Sequence, residues 1–192
     1  MAVGYRIGRP MGLVTRQVLE KSKGREMANT DTQPIYIREI EVRYKKRRVK
    51  SGAPVNEKLT DAQKVYELFS DLQNEAKEKL ITISLDTKLK MLCFEVVAIG
   101  AVDSVYARPI ETIRGAIPLN PYGIIIVHNH PSGDPTPSAS DEQFTSNLLI
   151  NTVSLGLEFY DHIIIGHDSY FSFAREGVMD RLKDEVNSKL MR

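Results

Sequence analysis

The sequence predicts an α/β fold, a mixed sheet with helices on its faces. Three observations carry that prediction. Gly123-Ile124-Ile125-Ile126-Val127-His128 and His162-Ile163-Ile164-Ile165-Gly166 are almost wholly apolar, the mark of strands buried on both faces. Residues 80–85 and 91–99 are strand-like runs separated only by the turn 86–90, so they form a hairpin. Segments of helical spacing lie between these strands.

In chain order, residues 1–33 show no sustained period and end in the loop composition Asn29-Thr30-Asp31-Thr32-Gln33-Pro34. They read as a flexible tail, with Met27 as an alternative start. From Ile35 apolar and charged residues alternate, and Arg43-Tyr44-Lys45-Lys46-Arg47-Arg48-Val49-Lys50 reads first as a charge-protected edge strand. Thr60-Asp61-Ala62-Gln63 has the form of a capping box. Val65, Leu68, Phe69 and Leu72 then give the helix one apolar face, and it should fade near Lys79. Pro109 opens a short helix to about Ile117. A helix from Ala139 to about Leu155 turns Phe144, Leu148 and Thr152 to one side and stops at Gly156. Residues 170–173 form a last short strand. The chain is helical and charged from Glu176, with residues 34–181 as the domain and 182–192 as a charged tail.

Composition narrows the class. The 192 residues are 42% apolar, enough for one domain with a real core. Cys93 is the single cysteine, which excludes a disulfide framework and a four-cysteine zinc site; its place in a strand reads as packing. No apolar run reaches membrane-spanning length, and residues 1–30 carry charges throughout, so the expected place is the cytoplasm. Net charge is +1, but residues 1–50 hold 13 Lys+Arg against 5 Asp+Glu, a net of +8, and residues 51–192 hold 13 against 20, a net of −7. The basic run 43–50 is therefore also a candidate DNA contact.

The chemistry sits near the end of the first buried strand. His128 and His130 are two apart, so both rings point to one side. Asn129 points away or turns back to bond the loop. Pro131-Ser132-Gly133-Asp134-Pro135-Thr136-Pro137 is a restricted loop that can fold Asp141 back over the strand end. Two imidazoles and one carboxylate leave a fourth coordination position open, the pattern of a catalytic zinc site; other divalent metals also suit it. Ser138-x-x-Asp141 is at the same time a capping box, and the two roles are compatible. Glu95 lies inside a strand between Phe94 and Val96, so it should have a partner or a job. It can face the site if the hairpin lies beside the strand ending at His128; an outward-facing residue is as good a reading of the pattern. His162 reads first as a satisfied core residue and second as an orienter of a ligand. His167 is given no role.

The segment His128-Asn129-His130-Pro131-Ser132-Gly133-Asp134-Pro135-Thr136-Pro137-Ser138-Ala139-Ser140-Asp141 resembles the zinc signature of the JAB/MPN metalloprotease superfamily, in its RadC-like form. Asp161-His162-Ile163-Ile164-Ile165-Gly166, Tyr170-Phe171-Ser172-Phe173, Leu85-Asp86-Thr87-Lys88 and Glu95-x-x-x-x-Gly100 are similar to flanking RadC segments, and the likeness covers about residues 36–180. It implies a sandwich similar to cytidine deaminases. It implies His128, His130 and Asp141 as ligands of one Zn2+ per chain, Glu95 as the acid/base toward the attacking water, and Ser138 as the donor that steadies an oxyanion. The implied activity is hydrolysis of a peptide or isopeptide bond in a peptide or protein substrate; RadC-like members are traditionally named DNA repair proteins. Arg108-Pro109-Ile110-Glu111 stands where the family usually has His-Pro-Arg-Glu, and residues 1–59 show no Gly-rich helix-hairpin-helix. A non-catalytic DNA- or repair-protein-binding module and a metal-dependent nuclease are the competing readings. The separated Cys93 excludes a zinc deaminase.

Overall fold

The computed structural model of the chain describes residues 37, 41, 43–48, 52–100 and 107–190. The chain divides into two compact units, Met1–Glu41 and Val42–Arg192. Of the first, Ile37 and Glu41 are described and both are exposed. The strand expected from Ile35 lies largely outside the described residues. Where it is described, at 43–48, the backbone has no regular structure and every residue is exposed, so the basic run is not an edge strand there. Its nearest ring contact places the Arg47 guanidinium 5.9 Å from the centre of Phe94.

The second unit begins with helix α1, Ala62–Phe69. Asp61 caps it, not Thr60: the Asp61 carboxylate accepts from Gln63 N at 2.9 Å. The helix also ends sooner than its periodicity implies, giving way to a 3-10 turn over Ser70–Asn74. Ser70, Asp71 and Asn74 compete for the backbone and weaken an α-helix, while the turn still buries Leu72. Strands β1, Lys79–Leu85, and β2, Met91–Ile99, follow as the expected hairpin. Asp86 shapes its turn by accepting from Lys88 N and Lys90 N at 2.8 and 2.9 Å. Helix α2 covers Pro109–Ile113 and stops short of Ile117, where a separate 3-10 turn begins. Strand β3, Gly123–Asn129, is buried at every position. Helix α3, Ala139–Ser154, returns the chain to strand β4, Glu158–Ile165, and the short β5, Tyr170–Ser172.

Among the described residues five strands lie in the order β2-β1-β3-β4-β5. Only β3 and β4 are parallel, joined by α3 as a crossover, and every other pair is antiparallel. This is the mixed α/β sheet that the apolar runs predict. Alternation along β3 divides the core. Ile124 and Ile126 face α3 with Leu148, Leu149 and Phe159. Ile125 and Val127 face α1 with Val65, Phe69 and Leu72. His128 continues the first set, so its ring lies on the α3 side, and Asn129 continues the second. Helix α4, Val178–Leu190, completes the α3 layer. Residues 182–190, expected to start a charged tail, belong to this helix and carry Leu182 and Val186 into the core. Among the described residues no helix is long and apolar enough to cross a membrane.

Candidate metal centre

The end of β3 delivers His128 and His130 to one place, and α3 delivers Asp141. His128 Nε2 lies 3.0 Å from His130 Nε2 and 3.4 Å from Asp141 Oδ1. His130 Nε2 lies 3.5 Å from Asp141 Oδ2. One ligand atom from each of the three residues falls within 4.8 Å of the other two. Tetrahedral coordination with bonds of about 2.0–2.1 Å sets ligand atoms about 3.3 Å apart, so the spacing suits a zinc-sized cation. The bond at the far side of His130 agrees. Its Nδ1 donates to the Asp134 carbonyl at 2.8 Å, so in the neutral ring Nε2 carries a lone pair turned to the site.

Local sequence explains how each group is held. His130 N donates to Ile165 O and Gly133 N to His130 O, closing the turn after β3. Gly133 has φ +86°, a conformation side chains rarely adopt. Gly166 is needed for a different reason: a Cβ there would sit 2.4 Å from Gly133 O and 2.7 Å from Pro135 Cδ. The Pro/Gly loop therefore rests directly on the end of β4. Ser138 caps α3. Its backbone N–H and its hydroxyl both donate to Asp141 Oδ2, at 2.7 and 2.5 Å. The hydroxyl implied by resemblance as an oxyanion donor thus also orients the Asp141 carboxylate.

Charge is tuned accordingly. Burial pushes His128 down to about 4, against the pull of Asp141, so the ring is neutral near pH 7 with a lone pair to give. For Asp141, burial works upward but is outweighed by the His130 bond, the charge of His128 and the Ser138 bonds. The carboxyl is held well below its usual range. For His130, burial works downward and is outweighed by Asp141, the Asp134 carbonyl and Glu78, which raise it.

Glu95 lies on the same face of the sheet as His128, and its Oε2 is buried without a hydrogen-bond partner among the described residues. The hairpin does lie beside β3, but with β1 inside and β2 outside. Glu95 pairs with Thr82, and Thr82 pairs with Ile126. Two strand spacings and two residues along the strand put its Cα about 12 Å from that of His128. Its carboxylate presses on Gly115, where a Cβ would come within 1.7 Å of Oε2. A second carboxylate beside the site is Glu78, just before β1. Its Oε1 lies 3.9 Å from His128 Nε2, and its side chain is 12% exposed. Asn129 explains the aim. The Asn129 amide oxygen accepts from Lys79 N at 2.9 Å, and its nitrogen donates to Lys77 O at 3.3 Å. The chain entering β1 is clamped from the α1 face, which leaves Glu78 on the opposite face with the histidines. No sequence signal singles out Glu78, which sits in the charged stretch Glu75–Lys79; the β1–β3 register, with Leu80 opposite His128, places it.

His162 is core and more. It is fully buried, and its Nε2 is 2.8 Å from His128 Nδ1. Burial, and then His128, hold it well below the ordinary imidazole range. His167 is exposed beside Asp168, outside the site.

Residues 59–178 match the RadC-like JAB domain family. The chain belongs to that family. It is 41% identical over 121 residues to a UPF0758 protein of Aquifex aeolicus, covering 63% of this chain and 52% of that protein. It is 39% identical over 128 residues to a UPF0758 protein of Chlorobaculum parvum, covering 66% and 58%. A UPF0758 protein of Thermotoga maritima is 39% identical over 123 residues, 64% and 55%. The chain thus spans about half the length of the curated relatives it matches.

Proposed function

We propose that the protein is a zinc-dependent hydrolase that cleaves a peptide or isopeptide bond. The observation that carries the reading is the convergence of two imidazole Nε2 atoms and the Asp141 carboxylate within 4.8 Å of one another, with the Glu78 carboxylate beside them. His128, His130 and Asp141 would hold the metal, one per chain. When bound, a zinc ion lowers the pKa of a coordinated water toward 7 and polarises a carbonyl.

The remaining work falls to the protein. Glu95, half-buried on the face of the sheet that carries His128 and with a buried Oε2 unpartnered among the described residues, accepts the proton of the attacking water at its carboxylate and returns it to the leaving amine; Glu78 is the competing carboxylate. The half-buried position of Asp141 and the full burial of His128 keep bulk water from one side of the site. Ser138 fixes the carboxylate of Asp141, and its hydroxyl is the local donor to a developing oxyanion when Oδ2 releases it. The likeness of the chain to RadC-like JAB domains supports this reading, as does the donor set.

The test is a screen of zinc-loaded protein against peptide and isopeptide substrates, with Glu78→Gln and Glu95→Gln beside the wild type. Glu95→Gln should keep its zinc and lose turnover by at least 10²-fold, and Glu78→Gln should lose less than that. Full activity in Glu95→Gln with loss in Glu78→Gln would assign the base to Glu78, and full activity in both would remove a carboxylate base. Exposure of the basic residues 43–48 favours one second reading, DNA binding through 43–50. A steep fall of DNA affinity with salt, abolished when Arg47 and Arg48 are replaced, would support it.

A further inference from the structure

We propose that Thr145 and His162 are positioning residues that hold His128 as its Nδ1–H tautomer and so aim its Nε2 lone pair at the site. The inference rests on the metal reading above for its purpose, but not for its geometry. It begins at a group whose role is not adjustable. The Asp141 carbonyl can only accept, and Thr145 Oγ1 lies 2.7 Å from it. The Thr145 proton is therefore spent on that carbonyl. What Thr145 turns to His162 Nδ1, 2.6 Å away, is a lone pair, so His162 Nδ1 carries the hydrogen. A neutral imidazole has one N–H. His162 Nε2 is then an acceptor, and His128 Nδ1, 2.8 Å from it, is the donor. The one nitrogen of His128 left without a proton is Nε2, the atom that faces His130 and Asp141.

The surroundings permit no substitute. His162 is 0% exposed and His128 1%, so water does not compete for either ring. Phe173 stacks on His162 with centroids 4.8 Å apart and planes 20° apart, and Phe144 meets its edge at 5.9 Å. The ring can neither turn over nor slide away. The chain of bonds starts on the main chain of one candidate ligand, Asp141, and ends on the ring of another, His128. One helical turn of α3 thereby sets the position of Asp141 and the proton of His128 together.

Valine keeps the shape of threonine and loses the hydroxyl. In Thr145→Val, His162 has no acceptor at Nδ1, and its proton gains a partner only by moving to Nε2 and donating to His128 Nδ1. That places the His128 proton on Nε2, where it opposes a cation. Outer partners of ligating histidines typically govern metal affinity by about 10–100-fold.

Long-range proton–nitrogen NMR of the metal-free protein reads the tautomers directly, and zinc titration against a chromophoric chelator reads affinity. Wild type and Thr145→Ser should both show His128 and His162 protonated at Nδ1, with zinc affinities within about threefold. Thr145→Val should show His128 protonated at Nε2 and bind zinc 10–100-fold more weakly. A wild-type His128 carrying its proton on Nε2 overturns the inference, and this holds even if the valine variant does not fold. So does a folded valine variant with unchanged tautomer and affinity. Wild type with the expected tautomers and no zinc binding refutes the metal reading while leaving the relay in place.

Discussion

Gly166→Ala offers a sharp test of how the fold serves the site, because the distances fix the outcome. A Cβ at position 166 meets Gly133 O at 2.4 Å, Pro135 Cδ at 2.7 Å and Pro135 N at 2.9 Å. Two of these are backbone atoms and the third belongs to a ring, so none can turn aside. Ordinary carbon–oxygen contact needs about 3.4 Å, so the loop must move by about 1 Å. That loop supplies the Asp134 carbonyl that holds His130 Nδ1. A metal ligand tolerates about 0.2 Å. The substitution should cost about 1–3 kcal/mol of stability through overpacking, a melting shift of roughly 2–12 °C for a chain of this size. Zinc affinity should fall by about 10–100-fold, as for other losses of support around a ligand. Gly156→Ala is the control. It has φ +66° and nothing within 4 Å, so it strains the end of α3 without reaching the loop. Its cost should be about 1 kcal/mol with unchanged zinc affinity. Thermal melts and chelator competition on both variants decide the matter. If Gly166→Ala binds zinc as tightly as wild type, the loop does not position His130.

Other perturbations probe other joints. Asn129→Leu removes the clamp on Lys79 N and Lys77 O, so it should cost about 1–3 kcal/mol in urea unfolding and reduce turnover with zinc still bound. Asp161 is raised to about 6 by burial, against the bonds from Ser172 and Ala174. The folded state thus holds that proton more tightly than the unfolded one. Its contribution is complete below pH 3.8 and is lost as pH rises through about 6. Asp161→Asn should gain up to about 3 kcal/mol on the wild type between pH 4 and pH 7, measured by urea unfolding at both. Leu182→Ala should lose about 2–5 kcal/mol, because Leu182 is 3% exposed in the α3–α4 layer; a loss under 0.5 kcal/mol would return that stretch to a surface tail.

Much of this architecture was legible because it rests on local pattern. The apolar runs 123–128 and 162–166 could only be buried strands, and Ser138-x-x-Asp141 marked the start of α3 correctly. His-x-His followed by a Pro/Gly loop placed His128, His130 and Asp141 together, since alternation along a strand and the reach of a short loop are both local rules. What was not legible depends on which strand lies inside. The hairpin could have presented either arm to β3. With β1 there, Glu78 lies nearest the histidines, and Glu95 stays on their face of the sheet two strands out. Nothing in either strand's own pattern decides this, because both arms are strand-like and apolar and Glu78 lies just outside β1, between Lys77 and Lys79. The C-terminal helix shows the same limit. Its many charges hide Met179, Leu182 and Val186, three apolar residues at helical spacing that only a neighbour such as α3 turns into core. His162 was ambiguous for a related reason: the sequence placed it in a buried strand, but only the β3–β4 register, with Ile126 beside His162, sets it near His128.

The central claim is that His128, His130 and Asp141 form one divalent metal site. Elemental mass spectrometry of untagged protein, purified without chelator, tests it most directly, with His130→Ala alongside. The account predicts about one zinc per chain in the wild type and its loss in the variant, with both proteins folded by circular dichroism. No metal in the wild type after zinc is supplied and excess removed, or equal metal in both proteins, would contradict it.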